Sequence, residues 1–244
     1  MTIYAIGDIH GQLDALRAAH ARIDADRAAH GTQAAQIVHL GDLTDRGPDS
    51  RGVLDHLIAG HAAGKPWITI KGNHDRMFHR FVTTGDQHDS NIKSGLGWLN
   101  PRLGGPATLA SYGVADTHEA DPESAFEAAR AAVPQAHLEF IAQRPLYHRA
   151  DDLLFVHAGI RPNLALERQH EDDLIWIRDG FLDHTDPFDW LVIHGHTALD
   201  APQHFGNRVD LDSGAGYGRP LTAAVIEGRD VFVLTDQGRV PLRP

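Results

Sequence analysis

Cysteine is absent from the 244 residues. That excludes a disulfide scaffold, a thiolate zinc site, an iron–sulfur cluster and a cysteine nucleophile, and it fits a reducing compartment. Basic residues are scarce beside acidic ones: 22 Lys and Arg against 33 Asp and Glu leave a formal net charge of −11. Such a balance argues against tight, charge-driven nucleic-acid binding. No stretch approaches ~18 consecutive apolar residues, and no basic region precedes the apolar run Thr2–Gly7, so neither a membrane span nor a signal peptide is expected. The expectation is a cytoplasmic protein. What the chain does have is an ordinary hydrophobic fraction of 42% and 18 histidines. Poor in soft ligands and rich in carboxylate and imidazole, it is equipped for oxygen/nitrogen sites for divalent cations.

The first eighty residues alternate between strands and helices. A strand at Thr2–Gly7 leads to a helix over about 12–29, with Leu13, Leu16, Ala19 and Ile23 on one face and Gly31 as its stop. A second strand at 36–40 leads to a helix over about 49–59, and a third strand spans 67–71. This order predicts a βαβαβ start with parallel strands. Residues from about 83 to 121 are rich in Gly, Pro, Asn and Asp and read as an irregular insertion. A helical stretch over about 123–143 is interrupted at Pro134 and closes before Pro145. Short strands then return at 153–156, 191–193, 208–211, 222–226 and 231–234. No linker divides the chain, so residues 1–244 are expected to form a single domain.

Chemistry concentrates just after the strands. The first ends in Gly7-Asp8-Ile9-His10-Gly11, the second in Gly41-Asp42-Leu43-Thr44-Asp45-Arg46-Gly47 and the third in Gly72-Asn73-His74-Asp75. Ligands of open α/β sheets sit beyond the carboxyl ends of the strands, so these loops should converge. Later strands add His157, in Val156-His157-Ala158-Gly159, and His196, in His194-Gly195-His196-Thr197. A single Gly-Asp after a strand is usually a turn, and a lone buried histidine is usually hydrogen-bonded core. Five such endings in order are another matter. Asp8, His10, Asp42, Asn73, His157 and His196 form an oxygen/nitrogen set, with Asp42 able to bridge, that suits a pair of divalent cations ~3.5–4 Å apart.

These motifs resemble the calcineurin-like metallophosphoesterases, within them the phosphoprotein-phosphatase branch, with its bacterial and phage-type enzymes and the related symmetrical diadenosine tetraphosphate hydrolases. The resemblance spans Gly7 to about Gly216. It implies an α/β fold, two mixed β-sheets packed as a sandwich and flanked by helices. It also implies a first cation on Asp8, His10 and bridging Asp42, and a second on Asn73, His157 and His196. His74 matches the family's catalytic histidine, positioned by Asp45; Arg46 and Arg178 match its phosphate-binding arginines. Val209–Ala215 resembles the closing strand and its turn. Asp75 departs from the Glu usual in protein phosphatases, Ala158-Gly159 from the Gly-Gly of the eukaryotic ones, and their C-terminal tyrosine motif is missing.

The implied reaction is hydrolysis of a phosphate ester by a hydroxide bridging two cations, Mn²⁺ first, with Fe and Zn²⁺ also suited to the ligands. Arg46 and Arg178 would meet charge on the phosphoryl oxygens, and His74, its tautomer fixed by Asp45, would protonate the leaving alkoxide. No covalent phosphoenzyme is expected. The first expected substrate is a phosphoprotein, at Ser/Thr and with Tyr in range; the alternative is diadenosine tetraphosphate split into two ADP. A dinucleotide calls for cationic and aromatic surface, and this acidic chain has 7% aromatics. His194 is expected to stand behind the ligands, and Gly214–Gly218 to be a turn rather than a nucleotide loop. The segment Gly97–Gly105, with Trp98 and Arg102, is expected either to fold over the site and help select substrate or to be an exposed capping loop. Nucleic acid and membranes are not expected partners.

Overall fold

A computed structural model describes all 244 residues. The chain opens β1 (Thr2–Ile6), α1 (Leu13–His30), β2 (Gln36–His39), α2 (Ser50–Ala62), β3 (Trp67–Thr69), α3 (Asn73–Thr84). The pairings β1·β2 and β2·β3 are both parallel, as the βαβαβ pattern predicts. Helices α4 (Gly105–Ser111), α5 (Pro122–Ala132) and α6 (Gln135–Ala142) follow. Pro134 separates the last two, since its ring cannot continue a helix. Next come β4 (Tyr147–Ala150), β5 (Leu153–Val156), α7 (Glu171–Trp176), β6 (Leu191–His194), β7 (Gln203–His204) and β8 (Arg208–Asp210). Strands β9 (Ala223–Glu227), β10 (Asp230–Thr235) and β11 (Gly238–Leu242) close the chain.

Two sheets result, ordered β11-β10-β9-β1-β2-β3 and β4-β5-β6-β8-β7. Both are mixed, because β1 pairs antiparallel with β9 and β4 antiparallel with β5. Alternation along the strands explains why they stack. Ile3, Ala5 and Val38 join Leu153, Phe155, Ile193 and Val209 in the core between the sheets. Their neighbours Tyr4, Ile6 and Ile37 face the opposite way, into the core under α1, α2 and α3. Leu154, Val156 and Val192 turn outward beneath Leu174, Ile175 and Phe181. A period of two thus makes each strand serve two cores, which yields the sandwich with outer helices.

Several elements depart from the sequence expectation: β4, β7, β11 and α7 have no expected counterpart, and α3 and α4 stand where the sequence reads as loop. Helix α3 is a full helix beginning on Asn73 itself, and Met77, Phe78, Phe81 and Val82 are its buried face. The 83–121 region is not wholly irregular either, since α4 forms within it and packs beside α2. No helix is long and apolar enough to cross a membrane.

Candidate active site

The loops after β1, β2, β3, β5 and β6 meet at one edge of the sandwich. Five residues there hold positive φ: His10 (46°), Asp42 (47°), Asp45 (73°), Arg46 (69°) and His196 (69°). Non-glycine residues rarely adopt this region, and it persists where surrounding contacts enforce it. Asp75 supplies several of those contacts. Its Oδ1 accepts from the Leu43 N–H at 2.8 Å and its Oδ2 from the Gly72 N–H at 2.9 Å, tying the second loop to the start of α3. In the sequence Asp75 stands out only as a departure from the family's Glu; its place as the third residue of a helix opened by Gly72 is the signal for this role.

Of the predicted ligands, His10, Asp42, Asn73, His157 and His196 lie together, and the first group counts His74, expected as the proton donor, where Asp8 was expected. His10, Asp42 and His74 place ligand atoms within 4.8 Å of one another, as do Asp42, His157 and His196, so Asp42 is common to both groups. Asn73 Oδ1 lies 2.9 Å from His157 Nε2 and 2.9 Å from His196 Nδ1. The Nδ1–H groups of His10 and His157 donate to the carbonyls of Thr44 (2.9 Å) and Leu40 (2.8 Å), which leaves each Nε2 with its lone pair turned inward. Asp8 is buried; its Oδ2 accepts from the His196 N–H at 3.0 Å and its Oδ1 has no partner. His196 Nε2 is likewise buried and unpartnered. A Cβ at Gly195 would collide with Asp8 Oδ1, so only glycine lets that strand end approach the carboxylate so closely.

Charge in this pocket is unbalanced. Burial and the neighbouring Asp212 and Asp42 push the Asp8 carboxyl well up, and burial with Asp42 pushes Asp75 up to about 8. Burial pushes Asp212 up too, against a hydrogen bond from Gly214 and with Asp42 adding to it. Burial alone would raise Asp42, yet the imidazoles of His157, His74, His10 and His196 hold it well below the usual carboxylate range. Burial lowers His10, His157 and His196. Crowded carboxylates, inward lone pairs and two orphaned buried atoms form a donor set that divalent cations fit. Asp212 belongs to this crowd and was not singled out from sequence beyond its place in the closing turn.

The catalytic candidates surround the ligands. His74 Nδ1–H donates to Asp45 Oδ2 at 2.7 Å. Arg46 points both arms inward, toward His10 Nε2 at 2.7 Å and His74 Nε2 at 3.0 Å. Arg178 stands exposed after α7, and its guanidinium donates to the His196 carbonyl at 3.3 Å. Both arginines line a cleft of about 700 Å³ that also contains Asp42, Asn73, His74 and Trp176. Gly214–Gly218 is a short 3₁₀ turn, as expected, but it carries Tyr217, which is 60% exposed and lies with its ring 4.7 Å from the Arg46 guanidinium. His194 turns away from the ligands: its Nδ1–H donates to the Gly195 carbonyl and its Nε2 accepts from Arg208.

The expectation for Gly97–Gly105 needs correction. Trp98 is fully buried and its Nε1–H donates to Asp45 Oδ2 at 2.8 Å, so the segment supports the site from behind instead of closing over it. Leu103 alone of that segment lines the cleft. The indole is an apolar body with one polar handle, and burying it required that handle to find an acceptor.

Comparison with known proteins bears on the family and the fold. The family described as Calcineurin-like phosphoesterase matches residues 1–222. An asymmetrical bis(5'-nucleosyl)-tetraphosphatase PrpE from Halalkalibacterium halodurans is 25% identical over 237 residues, covering 89% of this chain and 87% of its own. Among solved structures, a putative diadenosine tetraphosphatase superposes with a TM-score of 0.63 at 23% identity, covering 99% of this chain and 94% of its own. A cold-active protein tyrosine phosphatase reaches a TM-score of 0.67 at 16% identity over 99% of this chain and 78% of its own.

Proposed function

The chain belongs to the calcineurin-like phosphoesterase family, and we propose that it hydrolyses phosphate monoesters of alcohols, phosphoserine and phosphothreonine in proteins first among them. The observation that carries this reading is the His74–Asp45 pair, 2.7 Å apart and buried beside the ligand groups. An alkoxide is a poor leaving group and needs a proton in the transition state. A polyphosphate leaving group, acidic enough to depart near neutral pH, gains little from one.

Asp8, His10 and Asp42 would hold one cation, and Asp42, Asn73, His157 and His196 the other; Mn²⁺, Fe and Zn²⁺ all accept such ligands. Two cations so bound would supply a water acidic enough to attack at neutral pH and would polarise the phosphoryl oxygens. The chain's own residues do the rest. Arg46 and Arg178 are the cleft arginines without a carboxylate partner, and their planar forks match the oxygens of one phosphoryl group. To meet substrate, Arg46 turns its fork from His10 and His74 toward the phosphate. His74, protonated on both nitrogens, keeps Nδ1–H on Asp45 and delivers the Nε2 proton to the leaving oxygen.

A second reading, hydrolysis of a dinucleoside polyphosphate, is favoured by the exposed Tyr217 over Arg46 and by Trp176 in the cleft, which offer faces for bases. Relatives named as asymmetrical tetraphosphatases support it too. Against it, the outer cations are already paired, Lys93 with Asp179 at 3.2 Å and Arg161 with Asp173 at 2.6 Å. Turnover of a phosphoserine peptide, a phosphotyrosine peptide and diadenosine tetraphosphate, measured side by side with Mn²⁺, tests the choice. The highest kcat/KM is expected on phosphoserine; a hundredfold preference for the dinucleotide overturns it. Its products, two ADP or ATP with AMP, would then give the cleavage position.

A further inference from the structure

Asp45 has no freedom left. Its Oδ2 accepts from His74 Nδ1–H at 2.7 Å and from Trp98 Nε1–H at 2.8 Å. Its Oδ1 accepts from the Thr108 hydroxyl at 2.8 Å, and its own N–H donates back to the same Thr108 oxygen at 2.8 Å. Next in sequence, the Arg46 N–H reaches the Gly104 carbonyl at 3.4 Å. Asp45 and Arg46 are the two adjacent residues with φ of 73° and 69°, and the segment from Trp98 to Thr108 is what grips both. A backbone held in this region needs surroundings that over-determine it.

The same segment also grips the histidine's helix. Trp98 lies with its ring centroid 4.9 Å from Phe81 and 5.9 Å from Phe78, both on α3, the helix that begins with Asn73 and His74. Trp98, Thr108 and Asp45 are each fully buried, so the hydrogen bonds among them face no competition from water. One indole therefore fixes the carboxylate through its edge and the imidazole's helix through its face.

We propose that Trp98 and Thr108 are positioning residues for the proton transfer: they aim Asp45 so that His74 presents Nε2 to the leaving oxygen. The proposal rests on the reading of His74 as the proton donor. Either side chain, once its donor is lost, lets the carboxylate rotate and His74 swing from the leaving group. A residue that merely stabilised the fold would slow all substrates alike. Loss of an aimed proton donor slows only those whose leaving group needs the proton.

The test compares phenyl phosphate, a poor leaving group, with p-nitrophenyl phosphate, a good one, on the Mn²⁺-loaded enzyme. Trp98→Phe keeps an aromatic face and loses the N–H; Thr108→Val keeps the shape and loses the hydroxyl; Thr108→Ser restores it. In the first two, kcat on phenyl phosphate is expected to fall about tenfold to a hundredfold while kcat on p-nitrophenyl phosphate stays within about threefold, a share of the 10²–10⁴ that a positioned acid supplies. Thr108→Ser should recover most of the loss. His74→Asn should show the same split, larger. If His74→Asn falls equally on both substrates, its role as proton donor is wrong and the proposal goes with it. If His74→Asn splits them and Trp98→Phe and Thr108→Val do not, the positioning role alone is overturned. A readout free of turnover is the His74 Nδ1–H proton resonance in metal-free protein, which should move in Trp98→Phe and Thr108→Val and return in Thr108→Ser; a resonance unmoved in the first two also overturns it.

Discussion

Asn73 turns its amide oxygen toward His157 Nε2 at 2.9 Å, while His157 Nδ1–H is spent on the Leu40 carbonyl at 2.8 Å. In the neutral imidazole, that leaves two lone pairs facing each other in a buried space. Such an arrangement is unfavourable by itself and becomes favourable when a cation stands between. Native stability should therefore rise with divalent metal. At a hundred times Kd a single site contributes about 2.7 kcal/mol. Thermal denaturation with and without Mn²⁺ is expected to show a rise in Tm that shrinks in Asn73→Ala. Equal shifts in both proteins would mean that Asn73 is not a ligand.

Gly195 brings the second histidine loop against Asp8. Because a Cβ there collides with Asp8 Oδ1, Gly195→Ala should displace the carboxylate or the loop. Activity is expected to fall at least about tenfold, with weaker cation binding by calorimetry. Unchanged cation affinity would show that the close approach serves packing only.

Histidines outside the site have their own consequence. His56 Nε2 lies 3.0 Å from His20 Nδ1, His20 Nε2 lies 2.9 Å from His39 Nε2, and Trp67 stacks on His20 at 4.4 Å. Burial, with His39 and His56 adding to it, lowers His20 to about 2, and burial lowers His39 to about 3. A base with a folded value below its unfolded value near 6.5 stays neutral in the native state while the unfolded chain takes up the proton. Their contribution is therefore complete above pH ~6.5 and is lost as pH falls toward the folded values. Each such group adds about 1.4 kcal/mol per pH unit to the slope. Urea titrations of metal-free protein at pH 7.5 and 5.5 should show this loss, and His20→Leu should reduce it. An unchanged slope in His20→Leu would show that His20 does not contribute.

The elements that carry regular periodicity were legible in the sequence, and so was the convergence of the loops after the strands. Parallel β1, β2 and β3 and the alternating faces that build the sandwich follow from strand–helix order and period two. Helix α3 was not legible because its first turn is made of site residues, Asn73, His74 and Asp75, which read as loop chemistry. Strand β7 has two residues and β4 alternates only weakly, so neither carries a pattern. The support that Trp98 gives Asp45 joins residues 53 apart, and the role of Tyr217 depends on a turn delivered by β8 and β9. Composition misled in one respect. A low aromatic total says nothing about where aromatics collect, and two of them flank the cleft.

Asp42 is common to both ligand groups, so the two-cation account stands or falls on it. The direct measurement is metal content per chain by elemental analysis, on the wild-type protein and Asp42→Asn loaded in parallel with Mn²⁺, together with turnover of p-nitrophenyl phosphate. The account predicts about two ions per chain in the wild type and loss of at least one in Asp42→Asn, with activity falling about 10³-fold or more. An Asp42→Asn protein that keeps both ions and its full turnover would contradict it.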